Sequence, residues 1–197
     1  MTPREIVLGG FRIRCLEAGR FTIPRGSMYD PVVADNPVGA AGTLRPTFPN
    51  AVYVIPKGEW ATAARPPARD RASYVAADFE PLASSGRLRL VEGDAGIAAG
   101  IEVLRTPGHT AHHQSVLLRS EGSALLFAGD LIPTAAHAGF AFVMSYDLDP
   151  RLLLKTKRAV VGRAVPEGWI VALAHEPGGP FGTIVQDGTR FAFRPPA

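Results

Sequence analysis

Cysteine is nearly absent: Cys15 stands alone among 197 residues. A lone cysteine rules out an intrachain disulfide and leaves a zinc knuckle without its thiolates, and a reducing cytoplasm is the expected setting. No apolar run approaches the ~20 residues of a membrane span. The opening MTPREIVLGGFRIRCLEAGR breaks its apolar residues with charges, where a secretory leader needs a continuous apolar stretch. The expectation is a soluble chain without a membrane partner. Charge of one sign is scarce as well. Lys+Arg number 21 against 18 Asp+Glu, a net of +3, and the basic residues are scattered, as at Arg65, Arg69, Arg71, Arg87 and Arg89. No nucleic-acid partner is expected from such a surface.

Two motifs are missing too. Neither Ser115 nor Ser145 sits in a Gly-x-Ser-x-Gly turn, which makes a Ser-His-Asp hydrolase a weak reading. The segment GDAGIAAG at 93–100 lacks the Lys-Ser/Thr ending of a phosphate loop and precedes a strand rather than a helix. There is no internal repeat and no low-complexity tract.

What is present supports a folded core. The chain is 46% hydrophobic and 20% charged, and its length suits one domain over 1–197. Its 21 Gly and 18 Pro point to many turns rather than a helical bundle. Short apolar runs, rich in β-branched residues and bounded by turns, predict strands at 11–16, 51–55, 87–91, 101–104, 115–118, 124–128, 169–174, 182–185 and 190–193. Ala-rich 58–64 reads as a helix, and a further helix is expected around 69–79. Asp149 followed by Pro150 has the chemistry of a helix start, a capping carboxylate before proline at the first position, and the pattern runs to about Ala164. Segment 30–49, with prolines at 31, 37, 46 and 49, has no sustained period and reads as an irregular loop. Many strands with few long helices make an α/β or α+β domain.

All five histidines, His109, His112, His113, His137 and His175, fall between 109 and 175, with none before. Their placement relative to the strands is informative. The run 101–104 leads through a Pro-Gly turn to His109, the run 124–128 ends in Gly129-Asp130, and the run 169–174 ends in His175-Glu176. In open sheets, groups at the C-terminal ends of strands collect in one crevice where ligands bind. Imidazole nitrogen and carboxylate oxygen are donors for zinc, iron or manganese.

The stretches TPGHTAHHQS, LLFAGD, MSYDLDP and AHEP, in that order over about residues 46–190, resemble the metallo-β-lactamase-fold hydrolases. The resemblance implies a four-layer αββα sandwich with a two-metal site at the sheet edge. It also implies His109 as a ligand of the first metal, Asp130 as a bridge between both, and His175 as a ligand of the second. His113 stands where the family often places a supporting, non-ligand histidine, and His112 is expected at the surface. The chain departs from the family in two respects: it has no His-x-His-x-Asp-His run, and its N-terminal half looks short for the family's first sheet. The compatible spacing is Pro31-Val32-Val33-Ala34-Asp35-Asn36, which keeps Asp35 and replaces all three histidines. The structural alternative for Asp35, before Asn-Pro, is a turn former.

Ligand counting follows. A catalytic zinc takes three protein ligands and one water. His109 with Asp130 supplies two, and His175 with Asp130 supplies two, or three with Asp35. One ion recruiting His109, Asp130 and His175 together, His137 serving as a substitute, and a site that binds no metal tightly all remain open.

Two functions follow from this pattern. The first is a metal-dependent hydrolase holding one or two zinc ions, or iron or manganese. In it a metal-bound hydroxide would attack a small-molecule ester, lactone, thioester or amide. Asp35 would be the catalytic proton-transfer carboxylate. The second is a catalytically impaired or truncated homologue that serves as a non-enzymatic binding protein. A shortened N-terminal half would leave an apolar sheet face for a second copy, so a homodimer is expected under either.

Overall fold

The computed structural model describes residues 5–14 and 50–196; Cys15, Asp35 and the irregular segment 30–49 lie outside them. The described residues fall into two compact units, one of 5–14 with 93–196 and one of 50–92.

The first unit opens with a hairpin, β1 (Glu5–Leu8) and β2 (Phe11–Arg14), in antiparallel register from Glu5↔Arg14 to Leu8↔Phe11. Glu5 accepts from Arg12 Nη1 at 2.6 Å and Arg14 Nε at 2.8 Å.

The second unit is built from β3 (Tyr53–Pro56), α1 (Lys57–Ala64), a short 3-10 turn at Arg71–Ser73, α2 (Ala76–Ser84) and β4 (Leu88–Val91). β3 and β4 pair in parallel, Tyr53↔Leu88 to Pro56↔Val91. Parallel neighbours cannot be joined by a tight turn, so the intervening helices are the crossover. The helix expected around 69–79 is divided here. Tyr74 and Val75 are non-helical between the 3-10 turn and α2, and α2 runs on to Ser84 through Pro81.

The first unit continues with β5 (Ala95–Ala98), β6 (Ile101–Arg105), β7 (Gln114–Ser120), β8 (Ser123–Phe127), α3 (Pro150–Ala164), β9 (Ile170–Ala172), β10 (Phe181–Asp187) and β11 (Arg190–Arg194). Together these strands make a seven-stranded sheet in the order β11-β10-β9-β8-β7-β6-β5. Every neighbouring pair is antiparallel except β8 and β9, which run parallel, Leu125↔Ile170 to Phe127↔Ala172. The long connection between β8 and β9 contains α3, as a parallel pairing requires.

Strand direction decides where the functional residues go. β6 and β8 are both antiparallel to β7, and β9 is parallel to β8. β6, β8 and β9 therefore point the same way, and the residues following them leave from one edge of the sheet.

Along β8 the side chains alternate between two cores. Leu126 joins a cluster with Leu104, Leu117, Val171 and the buried residues of α3, whereas Leu125 joins Leu8, Ala172 and Phe181. α3 begins as its sequence predicts. Asp149 is the N-cap, its Oδ1 accepting from Leu152 N at 2.9 Å, with proline in the first turn. The helix buries Leu153, Lys157, Val160, Val161 and Ala164, a spacing of four, three, one and three that keeps one face toward the sheet. A lysine in that apolar stripe is unusual. Lys157 is fully buried, and its ammonium donates to His137 O at 2.9 Å and Phe142 O at 2.7 Å.

Among the described residues no helix is long and apolar enough to cross a membrane. Loss of the cap tests the account of α3. Asp149→Ala is expected to lower unfolding stability by about 1 kcal/mol, read as a lower denaturant midpoint at unchanged slope; an unchanged midpoint would show that the side chain does not hold the helix start.

Candidate metal centre

Each site residue is placed by a turn that its sequence specifies. After β6 the chain turns through Pro107 and Gly108 to His109. Gly108 has a φ of +136°, and a Cβ there would lie 2.3 Å from Leu153 Cα and 2.4 Å from Leu153 N. Only glycine permits this approach of the turn to α3. The backbone beyond is clamped by the segment that leads into α3: Asp149 N donates to Gly108 O at 2.9 Å and Leu148 N to His109 O at 3.0 Å.

After β8, Gly129 (φ +56°) begins a 3-10 turn that carries Asp130. His113, just before β7, fixes this turn. Its Nε2 accepts from Asp130 N at 3.0 Å, so the proton of the neutral ring resides on Nδ1 and is donated toward Thr106, 2.8 Å from Oγ1 and 3.0 Å from the carbonyl oxygen. The buried hydroxyls complete the chain. Ser115 Oγ donates to Ala128 O at 3.0 Å, and Thr106 Oγ1 therefore donates to Ser115 Oγ at 2.9 Å. This network ties the site ends of β6, β7 and β8 together through groups whose donors and acceptors are matched. Ser115 is buried within it, which removes that residue as a nucleophile.

After β9, the His175 amide donates to Pro133 O at 2.9 Å, and Glu176 accepts from Ala135 N at 2.7 Å and Gly178 N at 3.2 Å. These bonds set the loop that carries the third ligand-type residue.

The three residues singled out in the sequence come together. His109 Nε2 lies 3.4 Å from Asp130 Oδ2, and His175 Nε2 lies 3.1 Å from Asp130 Oδ1. One carboxylate thus has an imidazole against each oxygen. Burial pushes the Asp130 carboxyl up, but the opposing effects, led by the hydrogen bond from His175, outweigh it, and its pKa falls below the ordinary carboxylate value. The hydrogen bond to Asp130 raises His175 in return, against the opposing effect of burial.

Sequence reasoning missed Asp147. Its side chain is wholly buried, Oδ1 lies 2.9 Å from His109 Nδ1, and Oδ2 accepts from Met144 N at 2.7 Å. A carboxylate can only accept here, so His109 Nδ1 carries the proton and, in the neutral ring, Nε2 presents a lone pair toward Asp130. The signal was in MSYDLDP, where an acidic residue between Tyr146 and Leu148 precedes the Asp149 cap, but nothing in the spacing marks it as buried. Tyr146 stands edge-on to His109 with ring centroids 6.1 Å apart, and burial, with Asp130 and Asp147 nearby, raises its hydroxyl pKa.

The other histidines divide. His113 is a structural partner of Asp130, in line with its expected supporting place. His112, expected at the surface, is half-buried. His137 bonds Thr134 Oγ1 through Nδ1 at 2.8 Å, and burial, with Lys157 adding to it, lowers its pKa. Asp35 lies outside the described residues.

The donor atoms test whether a metal suits this place. With its Nδ1 proton directed to Asp147, a neutral His109 ring would turn Nε2 as an acceptor toward Asp130 Oδ2 at 3.4 Å, an arrangement that a shared proton or a cation would satisfy. The carboxylate bond to the far nitrogen of His109 is the arrangement that orients metal-binding imidazoles. In kind, then, His109, Asp130 and His175 fit a divalent cation. In arrangement they fall short: among the described residues no group of three or more His, Cys, Asp or Glu is placed so that it could hold one.

Comparison with known proteins bears on the fold and the family. A solved probable metal-dependent hydrolase from Staphylococcus aureus aligns with a TM-score of 0.68 at 23% identity, over 80% of this chain and 58% of that one. AidC, a dizinc quorum-quenching lactonase solved with the product N-hexnoyl-L-homoserine, aligns with a TM-score of 0.62 at 17% identity, over 76% of this chain and 56% of its own. At such identities the likeness is one of fold, a mixed α/β metallo-β-lactamase fold with few helices. An N-acyl homoserine lactonase of Bacillus cereus is 36% identical over 62 residues, which is 28% of this chain and 25% of the lactonase. The chain therefore spans a quarter of that relative and under two thirds of the two solved structures. The sequence model of the metallo-beta-lactamase superfamily matches residues 38–175, well over half of the 197, and the chain belongs to that superfamily.

Proposed function

We propose that the protein is a metal-dependent hydrolase of a small, uncharged carbonyl compound: an ester, lactone, thioester or amide. The observation that carries this reading is the Asp130 carboxylate with His109 against one oxygen and His175 against the other. The match to N-acyl homoserine lactonases over 62 residues supports a lactone or related acyl compound within that class.

His109, Asp130 and His175 would hold one or two zinc ions, or iron or manganese, whose contribution is Lewis acidity toward the reacting carbonyl and water. The chain's own residues do the positioning. Asp147 keeps the His109 proton on Nδ1 and so leaves Nε2 as a donor atom toward the site. His113 holds the Asp130 turn through the backbone amide. The loop bonds of His175 and Glu176 fix the third side chain at the same edge. Tyr146, 40% exposed beside His109, lies where it would meet an apolar portion of a substrate. Asp35 is proposed as the carboxylate that moves the proton between water and leaving group.

A non-enzymatic binding protein is the second reading, and the shortfall in metal donors among the described residues favours it. Elemental analysis of the purified protein separates the two. The hydrolase reading expects stoichiometric metal in the parent and its loss in both His109→Ala and His175→Ala, together with chelator-sensitive hydrolysis of a chromogenic lactone or ester. Less than about a tenth of an equivalent in the parent, or hydrolysis indifferent to chelator, would contradict it.

Asp147 gives a further prediction. Asp147→Asn should leave the chain folded and lower metal affinity or hydrolytic activity by about 10- to 100-fold, the usual cost of losing a carboxylate behind a ligating histidine. Titration with metal checks this, and affinity equal to the parent's would mean that the His109–Asp147 bond has no part in the site.

A further inference from the structure

The proposed chemistry leaves one buried ionisable group unused. Lys157 is fully buried on the apolar face of α3, where burial pushes its ammonium pKa down to about 8, with Asp147 opposing the shift. Leucine or methionine would fill the position without the cost of burying an ammonium, so what the lysine adds over them is its donors, and the groups that accept from it suggest its role. Its ammonium donates to the carbonyl oxygens of His137 and Phe142. These two carbonyls flank the turn in which Phe142 N donates to Gly139 O. The same stretch runs on through Met144, whose amide donates to Asp147 Oδ2, to Asp147 itself, whose other oxygen meets His109 Nδ1. Between the 3-10 turn at Ala135–Ala138 and α3 no helix or strand holds this stretch.

The geometry points to Lys157 as a positioning residue: by clipping the backbone at His137 and Phe142 to α3, it holds the loop so that Asp147 can orient His109. It touches no reacting group and acts through the loop. The inference rests on the reading of His109 as a site residue only for its catalytic significance, since the chain of bonds stands whether or not the protein is a hydrolase. Main-chain carbonyls need a donor when buried, and a rigid site requires its supporting shell to be held. An apolar replacement at 157 fills the volume but donates nothing, so the loop would keep its packing against α3 and lose its anchor.

Lys157→Met, examined by NMR without added metal, tests this. Expected are retained cooperative unfolding, loss or displacement of the low-field His109 Nδ1 proton signal, and amide exchange at Met144, Asp147 and Leu148 faster by about tenfold or more, with α3 protection unchanged. A His109 signal and loop protection equal to the parent's would overturn the proposal, as would a uniform loss of protection over the whole first unit, which marks a purely structural role. Should Lys157→Met fail to fold, Lys157→Leu takes its place. It too fills the volume and donates nothing, so the same selective changes are expected, and parent-like spectra would overturn the proposal. Because these readings need neither metal nor substrate, they are independent of whether the hydrolase reading holds.

Discussion

A carboxylate buried as fully as Asp147 must have donors for its oxygens, and this requirement organises the site. One oxygen takes the Met144 amide, which closes the loop on itself, and the other faces His109 Nδ1. With that proton fixed, the remaining ring nitrogen is turned toward Asp130 as an acceptor. Unpaired, Asp147 would cost several kcal/mol in such a place; paired, it converts a flexible imidazole into one with a defined face. Where His109 approaches Asp130 two acceptors then meet, and a shared proton or a cation between them would satisfy both.

The sheet contributes direction. A strand that reversed would send its following turn to the opposite edge, and the three turns would never meet. β6, β8 and β9 avoid this by being separated by one antiparallel strand or joined through α3. Buried hydroxyls of Thr106 and Ser115 and the ring of His113 then lock the turns to one another. The imidazoles and carboxylate of the site sit on loops, but these loops are short and bonded to the strands on either side.

Much of this was legible in the sequence because the signals are local. The strand ends before His109, Asp130 and His175 could be read from apolar runs terminated by Pro-Gly, Gly-Asp and His-Glu-Pro. The α3 cap was read from Asp149-Pro150, and the helix ends at Ala164 as its pattern suggests. The parts that were missed depend on partners far away in the chain. Asp147 becomes a partner of His109 only once the loop packs against a turn 38 residues earlier, and no spacing rule marks that. Lys157 shares its stripe with Leu153, Val160 and Val161, and nothing in that pattern distinguishes a buried lysine from a solvated one. β1 and β5 were also missed. Both are only four residues long, and Ala95–Ala98 carries a single β-branched residue, so their strand character comes from pairing with β2 and β6 rather than from propensity. The break of the helix in the second unit at Tyr74 and Val75 is likewise not marked by any Gly or Pro at those positions.

The most direct test of the account is anomalous diffraction at the zinc edge from crystals of the protein grown with zinc. It predicts a peak at about 2.0–2.1 Å from His109 Nε2, shared with Asp130 and with His175 on its far side. Crystals in which zinc binds elsewhere, while His109 and Asp130 remain in direct contact with no density between them, would contradict it.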